Sequence, residues 1–151
     1  MTRFAYAIFG YLAAALIAVA VAVFAIMAAS ALFSNGTESF LAPTDAGPAY
    51  IVGLEYTLPT ALPGFLITLF AARRAGWTGW LPYAGAGTLN AALAWAIFDV
   101  AVQLIDRGPL HMPLSGMPPM ILLPCLLGGF AGGITYWAVA RNALRGRLAS
   151  A

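Results

Sequence analysis

The chain has 151 residues, 62% of them hydrophobic and 8% charged, with a mean hydropathy of +0.89. Soluble domains carry about 25% charged residues, so most of this surface is not built for water. The net charge of +2 comes from arginines placed at segment ends instead of in a patch, which excludes nucleic acid as a partner, and the single Cys125 excludes an intrachain disulfide or a cysteine metal cluster.

The first apolar segment runs over about 4–32, behind Arg3. A signal-peptide core spans about 7–15 residues, so this run reads as a membrane span, with cleavage after Ala29-Ser30-Ala31 as the alternative. Gly10, Ala14, Ala18, Ala22, Ala25 and Ala29 form a stripe of small residues at helical spacing. Asn35-Gly36, Pro43, Gly47 and Pro48 then break the pattern. The sequon Asn35-Gly36-Thr37 is incidental in a bacterial chain, and the absence of lysine together with abundant alanine points to a high-GC bacterial genome.

The second segment covers about 50–72 and ends at Arg73-Arg74. Pro59 and Pro63 interrupt it, and each frees the carbonyl four residues earlier, on Glu55 and Pro59. A kinked helix is expected, tolerated where neighbouring helices satisfy the backbone. After a turn holding Gly76 and Gly79, the third segment spans about 80–105, with Gly85, Ala92, Ala96, Asp99 and Gln103 on one flank. Asp106-Arg107-Gly108-Pro109 closes it, and a loop rich in Pro and Met leads to the fourth segment, about 120–140.

In that last segment Gly128 and Gly132 lie four residues apart, as do Gly129 and Gly133. On a helix this strips one flank of side chains, so that another backbone can approach closely. An exposed soluble helix would lose roughly 1 kcal/mol at each glycine relative to alanine. The four glycines therefore mark a packed membrane helix, whose partner is the small-residue flank of the first or third segment.

Each apolar run is about 20 residues or longer, enough to cross a hydrocarbon core of about 30 Å. Arg3, Arg73, Arg74, Arg141, Arg145 and Arg147 fall on one side and Arg107 on the other. Positive-inside bias then puts both termini in the cytoplasm. Tyr6, Trp77, Trp80, Tyr83, Tyr136 and Trp137 mark the inner interface; Phe33, Phe40 and Tyr50 mark the outer one.

Glu55 and Asp99 are the carboxylates inside spans, and such groups usually face protein or water. Counted from the segment ends, each lies one and a half to two turns, about 10 Å, below the outer boundary. If the two helices pack there, the carboxyls share a proton or a cation, with Gln103 nearby. Otherwise Glu55 snorkels or bonds the backbone near the kink, and Asp99 bonds Gln103 or Trp95. The outer loop offers His111, Met112, Met117 and Met120, ligand types suited to Cu(I), although a proline-stiffened loop whose methionines dip into the interface accounts for them equally. No nucleophile–base pair or phosphate-binding loop is present, so the chain does not read as an enzyme.

Leu62-Pro63 with Arg73-Arg74, Trp80 to Tyr83, and Gly128 to Arg141 follow a recognisable layout. It resembles that of uncharacterised small four-span inner-membrane proteins of alphaproteobacteria. In those proteins the second span is rich in Leu-Pro and ends in basic residues, and the third opens with Trp and Tyr. The fourth carries paired glycines followed by Tyr-Trp and Arg. The resemblance implies fold and location, and no activity.

The sequence thus predicts an all-α integral membrane protein, a single membrane domain over residues 1–151 folded as a four-transmembrane-helix bundle in the bacterial inner membrane. The expected role is interaction or assembly as an accessory subunit, without cofactor. Its partners are the lipid bilayer and a second membrane protein or a second copy. The alternative is a small proton- or cation-linked transporter using Glu55 and Asp99.

Overall fold

The computed structural model describes residues 2–33, 43–106 and 121–148. It is all-helical. α1 spans Thr2–Phe33; a single 3-10 turn, Pro43–Asp45, leads into α2, Ala46–Ala75; α3 spans Trp80–Asp106; and α4 spans Leu122–Leu148. α1, α2 and α3 cover positions 4–32, 50–72 and 80–105, while α4 begins at Leu122, inside the expected 120–140. α4 runs on past Ala140 through Arg141, Arg145 and Arg147, because Asn142-Ala-Leu-Arg-Gly-Arg-Leu148 holds no proline to stop it.

Among the described residues, α1, α2 and α4 are long and apolar enough to cross a membrane. α3 has the length, and its first half carries Gly85, Gly87, Thr88 and Asn90, which lower the hydropathy there.

α4 is the central helix: it packs along both α1 and α3, while α2 meets the same two helices over a much shorter contact. The buried interior consists of small residues, Ala15, Val19, Ala72 and Ala84, together with Tyr136. Large apolar side chains point outward on every helix, including Phe24 at 73% exposure, Leu89 at 73% and Phe70 at 68%. Soluble monomers rarely show continuous apolar surface on this scale. The bundle is narrow and apolar on its outside, held by close backbone approach instead of by a core of large side chains.

Candidate functional site: the glycine spine and the proline helix

The four glycines of α4 serve two partners at once. A methyl group at Gly128 would run into the carbonyl of Ala18 and sit 3.2 Å from the Ala22 Cβ; one at Gly132 would sit 3.0 Å from the Ala14 oxygen. Those residues belong to the alanine stripe of α1. On the adjacent flank, a methyl at Gly129 would sit 2.6 Å from the Ala91 Cβ, and one at Gly133 would sit 2.9 Å from the Ala84 Cα, both on α3. Gly87 returns the contact, since a methyl there would meet the Gly129 carbonyl and lie 3.0 Å from the Gly133 nitrogen. The α3 flank that packs is therefore Ala84-Gly87-Ala91 instead of the expected Gly85-Ala92-Ala96. Gly85 is exposed and has open space where a side chain would go. Steps of three and four from Ala84 follow the face turned to α4, and Gly85 sits about 100° off it.

Glycine also admits one large side chain. Gly10 on α1 leaves room for the Tyr136 ring, whose nearest carbons would lie 3.1 Å from a methyl at that position. Tyr136 is consequently 8% exposed and turns inward, as a core residue and not an interfacial anchor. Around it the aromatic rings form a chain that touches all four helices. Tyr11 on α1 lies 4.6 Å from Phe65 on α2, Phe65 meets Tyr136 edge-on at 5.0 Å, and Tyr136 lies 5.9 Å from Tyr83 on α3. Trp77, in the turn before α3, continues the chain at 5.8 Å from Tyr83. Such pairs add about 0.5–1.5 kcal/mol each beyond the area they bury.

α2 is attached by different chemistry. Its helix continues through Pro59 and Pro63. Neighbouring helices send hydrogen-bond donors to it, but the donors among the described residues reach other carbonyls than those of Glu55 and Pro59 that the prolines free. The Tyr11 hydroxyl donates to the Leu58 carbonyl, and Asn90 Nδ2 donates to the Ala61 carbonyl at 3.0 Å. Within α2 the Thr60 hydroxyl donates to the Tyr56 carbonyl at 2.7 Å. Gly64 is what lets Asn90 in: a methyl there would lie 2.6 Å from the Asn90 Cγ. Near the other end of α2, Tyr50 donates to the Leu16 carbonyl at 3.2 Å, and Gly53 packs against Val19. The Asn90 Oδ1 is buried without a hydrogen-bond partner among the described residues.

Asn90 and Tyr11 did not stand out in the sequence. The available signal was that Asn90 is the one asparagine within a span, where an amide needs a partner on another helix.

Glu55 is exposed. At about 100° per residue it lies on the opposite side of α2 from Gly64, which meets α3, and nearly opposite Gly53, which meets α1. Asp99 and Gln103 are in the helical backbone of α3, but their side chains lie outside the described residues, as do His111, Met112, Met117 and Met120 altogether. Among the described residues no group of three His, Cys, Asp or Glu side chains is placed to hold a metal. Cys125 is partly buried and carries a free thiol.

No family model, curated protein or solved structure matches the chain. Its class therefore rests on its own geometry: an all-helical protein in which three helices are long and apolar enough to cross a membrane.

Proposed function

We propose that the protein is a four-span protein of the bacterial inner membrane with both termini in the cytoplasm. In this reading it is an accessory or assembly subunit without catalytic activity, and it meets a membrane-protein partner or a second copy through α2. One observation carries the reading: the helices are unequally committed. α4 is engaged on both glycine flanks by α1 and α3, whereas α2 has a short contact and a long outward face. That face bears Val52, Glu55, Tyr56, Leu62, Leu66 and Phe70, all exposed. A helix tied in by a few hydrogen bonds and left apolar outside is suited to lie against another membrane helix.

The transport reading needs Glu55 and Asp99 on facing surfaces. Glu55 lies on the side of α2 away from Gly64, so the assembly reading is the better supported of the two.

The test is residue-specific crosslinking in native membranes. With Cys125 replaced by serine, a photo-crosslinker attached to Leu66→Cys on α2 is expected to give a discrete higher-mass band. The same probe at Leu89→Cys, on the outward face of α3, is expected to give none. Equal labelling, or no band from either, overturns the α2 docking role. A periplasm-active fusion at Ala151 would overturn the orientation.

A further inference from the structure

We infer that the arginine-bearing end of the bundle, where α2 turns into α3 beside α4, binds the phosphate headgroup of an anionic phospholipid. The turn itself is well defined. Gly76 takes the left-handed conformation with φ 62°, its N–H returns to the Ala72 carbonyl, and the Trp77 N–H reaches the same oxygen at 3.1 Å. This closure buries Ala72 and leaves Arg73 and Arg74 exposed on the last turn of α2. Trp137 on α4 then donates its Nε1–H to the Thr78 carbonyl at 3.1 Å, tying α4 to the turn. One helical turn further on, the Arg141 guanidinium lies over the Trp137 ring. Two separate segments thus bring Arg73, Arg74 and Arg141 to one end of the molecule.

The chain's five acids, Glu38, Asp45, Glu55, Asp99 and Asp106, all fall by sequence toward the opposite ends of these helices. Among the described residues no Asp or Glu side chain falls at the arginines' own end. The Arg141 guanidinium carbon lies over the Trp137 ring, 5.0 Å from its centroid, and a guanidinium held at a ring face keeps edge N–H groups that suit a phosphate. The neighbouring surface selects the amphipathic form of that ligand. Phe70, Leu81 and Trp80 are exposed directly beside the turn, at 68%, 65% and 44%, and offer a wall for acyl chains. Basic groups between membrane helices at the interfacial level are recognised sites for anionic headgroups. This inference requires membrane insertion and is independent of any assembly role.

The test titrates the purified full-length protein in neutral detergent with phosphatidylglycerol, cardiolipin, phosphatidylcholine or inorganic phosphate. Thermal unfolding and lipid retention in native mass spectrometry are the readouts. The two anionic lipids are expected to raise the unfolding midpoint and remain bound; phosphatidylcholine and phosphate are expected to do neither. Losing roughly fivefold per arginine, the R73Q/R74Q/R141Q variant should bind on the order of 100-fold more weakly. R145Q/R147Q, which removes charge from the same side of the membrane, should retain most of the affinity. Trp137→Leu keeps every charge and removes the platform, for an expected loss of about two- to fivefold, and serves if the triple variant does not fold. Equal stabilisation by phosphatidylcholine, full replacement by inorganic phosphate, equal loss in R145Q/R147Q, or unchanged retention in a folded site variant would each overturn the assignment.

Discussion

α4 and α2 are both long apolar helices studded with residues that disfavour helix, glycine in one and proline in the other, yet they are built into the bundle in opposite ways. α4 gives up side chains so that backbones touch, Gly128 and Gly132 against α1, Gly129 and Gly133 against α3. α2 leaves a long face outside and is held by a few local contacts: hydrogen bonds at its carbonyls from Tyr11 and Asn90, the Phe65 ring against Tyr11 and Tyr136, and Gly53 against Val19. The first mode depends on shape over a long seam and tolerates no added atom. The second depends on a few local contacts and leaves most of the helix surface unoccupied. The closeness of the seam therefore sets α4 apart from α2, whose contacts with α1 and α3 are short.

The largest effect is expected where a side chain must enter the seam. Gly128→Leu would force the α4 backbone away from Ala18 and Ala22. Overpacking a tight contact costs about 1–3 kcal/mol or more, so the bundle should fall apart at markedly lower denaturant in mixed micelles. An unfolding midpoint equal to that of the native protein would remove the seam from the account. Next comes the attachment of α2. Gly64→Val would displace Asn90 and lose its bond to Ala61, loosening α2 while α1, α3 and α4 stay together. Protease or hydrogen-exchange protection should fall in α2 alone; a uniform fall across all four helices would contradict the division.

Smaller changes refine the same contrast. Tyr11→Phe removes the donor to Leu58 and keeps the ring on Phe65. Interhelical hydrogen bonds in membranes average about 0.6 kcal/mol, so the loss of stability should be of that order. Glu55→Gln sits on the outward face, where substitutions away from special contacts usually stay within about 0.5 kcal/mol. A large destabilisation of the isolated protein by this change would mean that Glu55 works inside the bundle after all.

The sequence carried the seam well on two helices and poorly on the third. Small residues at steps of four on α1 and α4 repeat the same omission each turn, although α1 is rich enough in alanine to draw such a stripe from composition alone. On α3 the same logic selected Gly85, since glycine and alanine are frequent enough there to draw several stripes, and only the partner's position distinguishes Ala84-Gly87-Ala91 from the rest. Tyr83 and Tyr136 illustrate a second limit: an amphipathic ring near a span end suits the interface and the core equally, and Gly10, far away in sequence, decides the matter for Tyr136. The prolines point to outside donors at the Glu55 and Pro59 carbonyls, whereas the donors among the described residues reach Leu58 and Ala61. Which carbonyls receive them depends on where Tyr11 and Asn90 arrive, and that is a tertiary fact. Of the candidate proton site, the outward placement of Glu55 is visible, while the side chains of Asp99 and Gln103 lie outside the described residues.

The most direct test of the two-sided seam compares two single alanine substitutions. A methyl at Gly133 meets the Tyr83 carbonyl and lies 2.9 Å from the Ala84 Cα, whereas at Gly85 it meets nothing within 4 Å. Unfolding of the two variants in mixed micelles should therefore move in opposite directions. Gly133→Ala should destabilise by about 1–3 kcal/mol through overpacking, and Gly85→Ala should be neutral or stabilising by up to about 1 kcal/mol through helix propensity. Equal behaviour of the two, or a more stable Gly133→Ala, would contradict the account.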